Sequence, residues 1–416
     1  MNNDFISQDK NHENNTFNSI LEQTLREGAR KLLQQAVENE INEFIEMHKD
    51  RTESDGKRQV VRNGYLPERE IQTGIGNIPV KCPRLRDNGK EVKFSSAILP
   101  PYLRRTPSIE SVIPTLYLKG VSTGDFSEAL EAILGKNAKG LSPTNITRLK
   151  KTWEHEHKEW EGRSLEGKQY VYIWADGIYF NVRLKDSRPC FLVLIGALPN
   201  GRKELVAIHA GFRESKISWL EVLNDLKRRG LEISPSLAIG DGALGFWAAL
   251  EEAFPNCKQQ RCWVHKTANI LDKMPKKIQP SAKRNIHEIY MAPTKNDGIK
   301  AFENFISTYE EKYPGACECL KKDKDQLFSF YDFPAMHWQH IRTTNPIEST
   351  FATVRHRTRQ TKGCGSVTAT LTMVYKLASS AEKKWRRLRG YKLIDKIIRG
   401  VKFKDGEEVK EEQEVA

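Results

Sequence analysis

Between Phe17 and Met47 the apolar residues Phe17, Ile20, Leu21, Leu25, Leu32, Leu33, Val37, Ile41, Phe44 and Ile45 recur at spacings that are mostly three or four. That period predicts one long amphipathic helix, with Gly28 as the place for a break. Its apolar stripe has to be covered by a dimer partner, by a DNA-binding head or by its own domain. From Lys57 to Lys93 the pattern shortens to strands and turns, and "RNGYLPEREIQTGIGNIPVKCPRLRD" reads as a small β-ribbon with basic arms. Helical spacing returns between Pro107 and Trp160. Gly120 ends one helix, "STGDFSEALEAILG" supplies an N-cap and a second, and Ser142 followed by Pro143 starts a third. Short helices joined by Gly-containing turns, the last carrying Arg148, Lys150 and Lys151, resemble a helix-turn-helix, and an ordinary three-helix packing unit has the same pattern.

At Lys168 the pattern changes to strands. "YVYIWADGIYFNVR", "PCFLVLIGALPNG" and "KELVAIHAGFRE" are successive apolar runs separated by turns, as in an antiparallel meander. A periodic helix, "SKISWLEVLNDLKRRG", ends at Gly230; the buried strand "LAIG" follows, then Asp241 and a further helix. The order β-β-β-α-β-α is the opening of the ribonuclease H fold, which makes the expected class α/β. Asp176 interrupts the first of these strands. Locally, Asp-Gly is a strong hairpin signal; the competing reading is that Asp176 holds a metal ion.

Composition adds a partner. The 416 residues carry a formal net charge of +13, and the basic clusters "VRNGYLPERE", "KCPRLRD", "YLRRTP", "ITRLKK", "VRHRTRQTK" and "EKKWRRLRGYK" are spread along the chain and interleaved with Tyr and Trp. Charge so placed suits phosphate contact with a polyanion, and a basic balance that only aids solubility has the same composition. Seven scattered cysteines argue against a disulfide framework. No apolar run is long enough to cross a bilayer, and "MNNDFISQDKNHENNTF" lacks the pattern of a secretory signal. A cytoplasmic, nucleoid-associated protein is expected.

If the first and fourth strands are neighbours, Asp176 and Asp241 meet at one end of the sheet, and like charges held there repel unless a cation lies between them. Oxygen ligands suit Mg²⁺, with Mn²⁺ as a substitute. A third carboxylate is expected from "HIRTTNPIESTFATVRHRTRQTKG", where Asn345 and Pro346 start a helix that puts Glu348, Phe351, Ala352, Arg355 and Arg359 on one face. Glu348 would reach the metal and Arg355 a DNA phosphate.

The motifs "WADGIYFNVR", "AIGDGALGFWAALEEAFP", "QRCWVHKTANIL" and "RTTNPIESTFATVRHRTRQTKG", in this order, resemble the mutator-type family of insertion-sequence transposases. The resemblance implies a DDE catalytic triad on a ribonuclease H-like fold, carried here by Asp176, Asp241 and Glu348. An all-helical insertion ahead of the Glu348 helix is implied as well, together with binding of terminal inverted repeats, Mg²⁺-dependent strand cleavage and transfer by a two-metal mechanism, and a homodimer or higher oligomer. The resulting division is an N-terminal helical segment over 1–56, a basic β-ribbon over 57–106 and a helical DNA-binding region over 107–165. The two parts of the core, 166–271 and 341–398, flank the insertion at 272–340, and an acidic disordered tail fills 399–416.

Other readings stay open: a nuclease of the same fold, or an element-derived DNA-binding regulator without catalysis. Cys262 and His265 stand at C-x-x-H spacing and could bind zinc with Cys257 and a remote ligand, but zinc is disfavoured because no second CxxC or HxxxH pair lies nearby, and the resemblance implies a supporting or DNA-contacting role beside the acids. His155 and His157 in "EHEHKE" read as a solvated helix face.

Overall fold

The computed structural model describes residues 5–89, 91–119, 121, 128, 143–180, 182, 189–211, 213–242, 244–360 and 366–409. The chain divides into two compact units, Met1–Thr147 and Arg148–Ala416. It is mixed α/β and about half helical, with a mixed sheet. Among the described residues no helix is long and apolar enough to cross a membrane.

In the first unit, helix α1 (Phe5–Met47) runs unbroken through Gly28. One glycine costs a helix only about 1 kcal/mol, and here the flanking turns are tied down. Ala29, Leu33 and Val37 pack on Ile71, Ile78, Val80, Cys82 and Leu99. Arg26 Nε donates to the Ile75 carbonyl at 3.1 Å, and Gln34 exchanges bonds of 2.9 and 3.0 Å with the Lys81 backbone. One side of the apolar stripe is therefore covered within its own unit. Strands β1 (Val60–Tyr65) and β4 (Pro83–Asp87) pair antiparallel, as do β2 (Arg69–Thr73) and β3 (Gly76–Val80). Helix α2 (Pro107–Lys119) follows; the second helix of the expected helix-turn-helix lies outside the described residues.

Helix α3 (Pro143–Glu161) leads into the second unit. Its Trp153 and His157, four residues apart, form a buried face, and the rings of His157 and Trp160 meet Tyr375 at 5.1 and 4.9 Å. Only His155 of the "EHEHKE" pair is exposed, so the solvated-face reading fails for His157.

The sheet of this unit is built from β5 (Tyr172–Tyr179), β6 (Cys190–Ala197), β7 (Lys203–Gly211), β8 (Leu237–Gly240) and β9 (Lys258–Arg261), in the order β7-β6-β5-β8-β9. The pairs β5–β6 and β6–β7 are antiparallel, whereas β5–β8 and β8–β9 are parallel. Strand β5 passes straight through Asp176 and Gly177, which face Val193 and Leu192 of β6, so Asp-Gly makes no hairpin. One face of the sheet is covered by α4 (Lys216–Arg228) and α5 (Leu244–Ala253), which bury Trp219, Leu223, Phe246 and Leu250 against Ile173, Ala175 and Leu194. The strands read as continuous apolar runs because both faces are covered. Strand β9 does not read that way: its sequence is KQQR, and its buried Gln260 donates to the Leu327 carbonyl (3.2 Å) and accepts from the Phe330 N–H (2.8 Å).

After α6 (Trp263–Leu271), residues 272–340 contain helices and 3-10 turns and no strand: α7 (Gln279–Met291), α8 (Lys295–Tyr309), α9 (Pro314–Lys321), α10 (Lys324–Leu327) and the start of α11 (Trp338–Ile341). Helices α12 (Asn345–Gln360), α13 (Val367–Glu382) and α14 (Ile394–Ile398) complete the helical part. The expected disorder of 399–416 does not hold up to Val409. There β10 (Phe403–Lys404) and β11 (Glu407–Glu408) form a hairpin. Its Asp405-Gly406 turn has both φ angles positive, at 51° and 82°, the geometry that favours this dipeptide. The turn is docked on the helical segment through Ala335 N–H to Gly406 O (3.1 Å) and Lys295 N–H to Asp405 Oδ1 (2.6 Å).

Candidate active site

Strands β5 and β8 are paired from Tyr172–Leu237 to Trp174–Ile239, so Asp176 and Asp241 each stand two residues beyond the last pair, at the same end of the sheet. The third acid arrives on α12. Ile347, Phe351 and Val354 are fully buried and seat this helix against the sheet, and Glu348 lies in its first turn. Asp176 is only 9% exposed and has no hydrogen-bond partner among the described residues. Burial pushes its carboxyl up to about 7; His265 opposes the rise, and Asp241, Glu214 and Glu348 add to it. A buried carboxylate without a partner is costly to ionise.

Glu214 is the member of this group that sequence reading missed. It follows β7 and precedes Ser215, the N-cap of α4. Burial and then Asp241 push its carboxyl up to about 7, with Tyr179 and His265 offsetting part of the rise. Its side chain occupies the space over Gly177, where a Cβ would meet Glu214 Cδ at 2.2 Å. That contact explains a glycine inside an unbroken strand, and strand glycines do mark close approaches.

Cys262 and His265 hold the acids in place. The Cys262 N–H donates to the Gly240 carbonyl, next to Asp241, at 2.8 Å. Its Sγ accepts the Thr344 N–H at 3.3 Å, four residues before Glu348. The Thr344 hydroxyl stands 3.4 Å from Cys262 Sγ, 3.4 Å from His265 Nδ1 and 3.2 Å from Glu348 Oε1. His265 Nε2 lies 3.6 Å from the same Glu348 oxygen. The bond to Cys262, against burial and with the charges of Cys262, Asp176 and Glu348, raises the imidazole to about 9. Burial favours the neutral Cys262 thiol, yet the bond and charge of His265 outweigh it and lower its pKa.

Two donor sets share Glu348. Cys262, His265 and Glu348 bring ligand atoms within 4.8 Å of one another, the one such group among the described residues. Sulfur and imidazole suit zinc, but the Thr344 hydroxyl touches all three groups and the sulfur already accepts a backbone N–H. Asp176, Asp241 and Glu348 offer oxygens, which suit Mg²⁺ or Mn²⁺, and the Asp176 carboxylate, with no hydrogen-bond partner among the described residues, fits such an ion.

The turn after Asp241 is braced from β9. Gly242 has φ +89°, and a Cβ there would lie 1.8 Å from Arg261 Nη1. Arg261 Nε is 3.1 Å from Asp323 Oδ2, which also accepts from the buried Lys266 Nζ at 2.7 Å. Asp323 belongs to the helical segment, so that segment props the turn carrying Asp241.

Of the remaining candidates, Arg355 is exposed on α12, two turns beyond Glu348; the side chain of Arg359 lies outside the described residues. None of the charges that act most strongly on Asp176 comes from Arg148, Lys150 or Lys151 on α3.

The profile of the family described as "Transposase, Mutator family" matches residues 2–388. The chain is similar to the transposase for insertion sequence element IST2 of Acidithiobacillus ferrooxidans, 51% identical over 67% of this chain and 94% of the relative. It is also similar to that for IS6120 of Mycolicibacterium smegmatis, 49% identical over 72% of this chain and 92% of the relative. A more distant relative is the transposase for IS256 in transposon Tn4001 of Staphylococcus aureus, at 30% over 82% and 86%.

Because the folded-state pKa of Asp176 lies above its ordinary value, the folded chain binds more protons than the unfolded one between pH 3.8 and about 7. The stability that this group contributes therefore falls as pH rises through that window. Asp176→Asn is expected to raise the melting temperature in EDTA at pH 8 by a few degrees, with the gain fading toward pH 4. A melting temperature lowered at pH 8 would contradict the burial argument.

Proposed function

Because the chain belongs to the Mutator family of transposases, we propose that it binds the terminal inverted repeats of an insertion sequence and cuts and joins DNA at Asp176, Asp241 and Glu348. The observation that carries this reading is that Asp241 and Glu348, from two further elements, act on the Asp176 carboxylate, which is 9% exposed and has no hydrogen-bond partner among the described residues. The order β7-β6-β5-β8-β9, with two antiparallel and two parallel pairings, supports a ribonuclease H-like core.

Asp176, Asp241 and Glu348 would hold Mg²⁺, or Mn²⁺ in its place. Bound there, the metal supplies positive charge to the entering and leaving oxygens of an in-line displacement at phosphorus. The side chains do the rest. Thr344 and His265 fix the Glu348 carboxylate, Cys262 ties the Asp241 strand end to the start of α12, and Arg261 keeps the turn after Asp241 in place. Arg355 is the candidate phosphate contact on the Glu348 helix. Hydrolysis uses water and strand transfer uses a DNA 3′-hydroxyl, and neither needs a covalent protein–DNA bond. The presence of all three acids favours this reading over a regulator without catalysis.

Joining two ends calls for two copies. The side of α1 turned away from its own core exposes Ile20, Leu21, Leu25 and Leu32, a stripe suited to a second copy of the same helix.

Asp176→Asn and Glu348→Gln are each expected to lower Mg²⁺-dependent cleavage of a labelled terminal-repeat duplex by at least about a thousandfold while leaving its binding within about threefold, a transition-state loss of roughly 4 kcal/mol; cleavage at the wild-type rate by either variant would refute the assignment. Replacing Leu21, Leu25 and Leu32 together with Ser should convert the oligomer to monomer by light scattering, and an unchanged mass would rule out that surface.

A further inference from the structure

We infer that Glu214 is a fourth carboxylate of the cation-binding centre, a ligand to the hard divalent cation beside Asp176 and Asp241; the inference rests on the reading of those acids proposed above. Two glycines on different elements position it. At Gly177, the residue after Asp176, a Cβ would come within 2.2 Å of Glu214 Cδ and Oε1. At Gly245, near the start of α5, a Cβ would lie 2.3 Å from the Glu214 carbonyl oxygen and 2.7 Å from Ser215 C. The first contact fixes the Glu214 side chain against the Asp176 strand. The second fixes its backbone against the helix that follows Asp241. A loop acid serving only solubility needs neither glycine.

The surroundings of the carboxylate point to the same role. Tyr179 is beside it, and Cys190 Sγ lies 4.0 Å from its Oε1, a weak thiol contact. Neither Glu214 nor Asp176 has a Lys or Arg ion-pair partner among the described residues. Asp176 is buried and Glu214 half-buried with Tyr179 as its hydrogen-bond partner; two carboxylates so placed, with no Lys or Arg ion pair among the described residues, are suited to share a cation. The hydrogen-bond acceptor capacity of a carboxylate and its oxygen donor type match a hard ion such as Mg²⁺ or Mn²⁺.

The test is Mn²⁺ binding to the full-length protein, followed by loss of the free-ion electron paramagnetic resonance signal, without DNA. Glu214→Gln keeps shape and removes charge, and about tenfold weaker Mn²⁺ binding or more is expected. Gly177→Ala displaces the Glu214 side chain while leaving its charge, and is expected to weaken binding to a similar degree, so the question stays decidable should one variant fold poorly. Asp176→Asn is measured alongside. Wild-type affinity in Glu214→Gln or in Gly177→Ala overturns the inference. If Asp176→Asn is weakened in that case, the three-acid reading stands without Glu214; if Asp176→Asn also binds as wild type, both readings fall.

Discussion

Asp176 brings a negative charge into a strand that the sheet buries on both faces, and the surrounding structure is organised around the repulsion that results. Strand β8 delivers Asp241 to the same level, α12 delivers Glu348, and the loop before α4 delivers Glu214; the last three all push the Asp176 carboxyl up. His265 opposes them, and its own pKa rises to about 9 through its bond to Cys262 and the charges of Cys262, Asp176 and Glu348. Such an arrangement is stable only because the fold around it is large and well packed, with Trp219, Leu223 and Leu250 all 1% exposed or less.

The geometry is transmitted through few atoms. Cys262 joins the end of β8 to the start of α12, since its N–H bonds to Gly240 and its Sγ accepts from Thr344. Arg261, one residue earlier, packs against Gly242 and is anchored by Asp323 from the helical segment. Adjacent residues at the end of one edge strand therefore hold Asp241 from two directions. Removing Asp323 would leave Arg261 and Lys266 as buried cations with no shared carboxylate, a change expected to cost about 3 kcal/mol or more. The helical segment thus contributes to the acids through packing and charge, whatever else it does.

Much of this was legible in the sequence, for physical reasons. The apolar runs of β5, β6 and β8 announce buried strands, and acids at Asp176 and Asp241 conflict with them strongly enough to be noticed. Glu348 was legible from its place in the first turn of a helix with an apolar face. Other features were hidden. In β9 the residues KQQR are buried through hydrogen bonds to the helical segment, not through apolar area. Glu214 looks like a solvated turn residue before an N-cap, and its counterpart Gly177 looks like half of a hairpin turn until the Glu214 side chain is placed over it. The C-x-x-H motif was visible, but its role depended on Thr344, whose contact with Cys262 spans 82 residues. Acidic composition masked the Asp405-Gly406 hairpin because the turn and Phe403 count for more than net charge.

On the proposed reading Asp176, Asp241 and Glu348 hold the hard divalent cations of a two-metal site, with the Cys262–His265 pair as support and not as a metal site. The measurement that tests it most directly is the anomalous scattering of Mn²⁺ in crystals of the full-length protein. The account predicts a peak bounded by carboxylate oxygens of Asp176, Asp241 and Glu348 that vanishes in Asp176→Asn. A peak ligated by Cys262 Sγ and His265, or one that persists unchanged in Asp176→Asn, would contradict it.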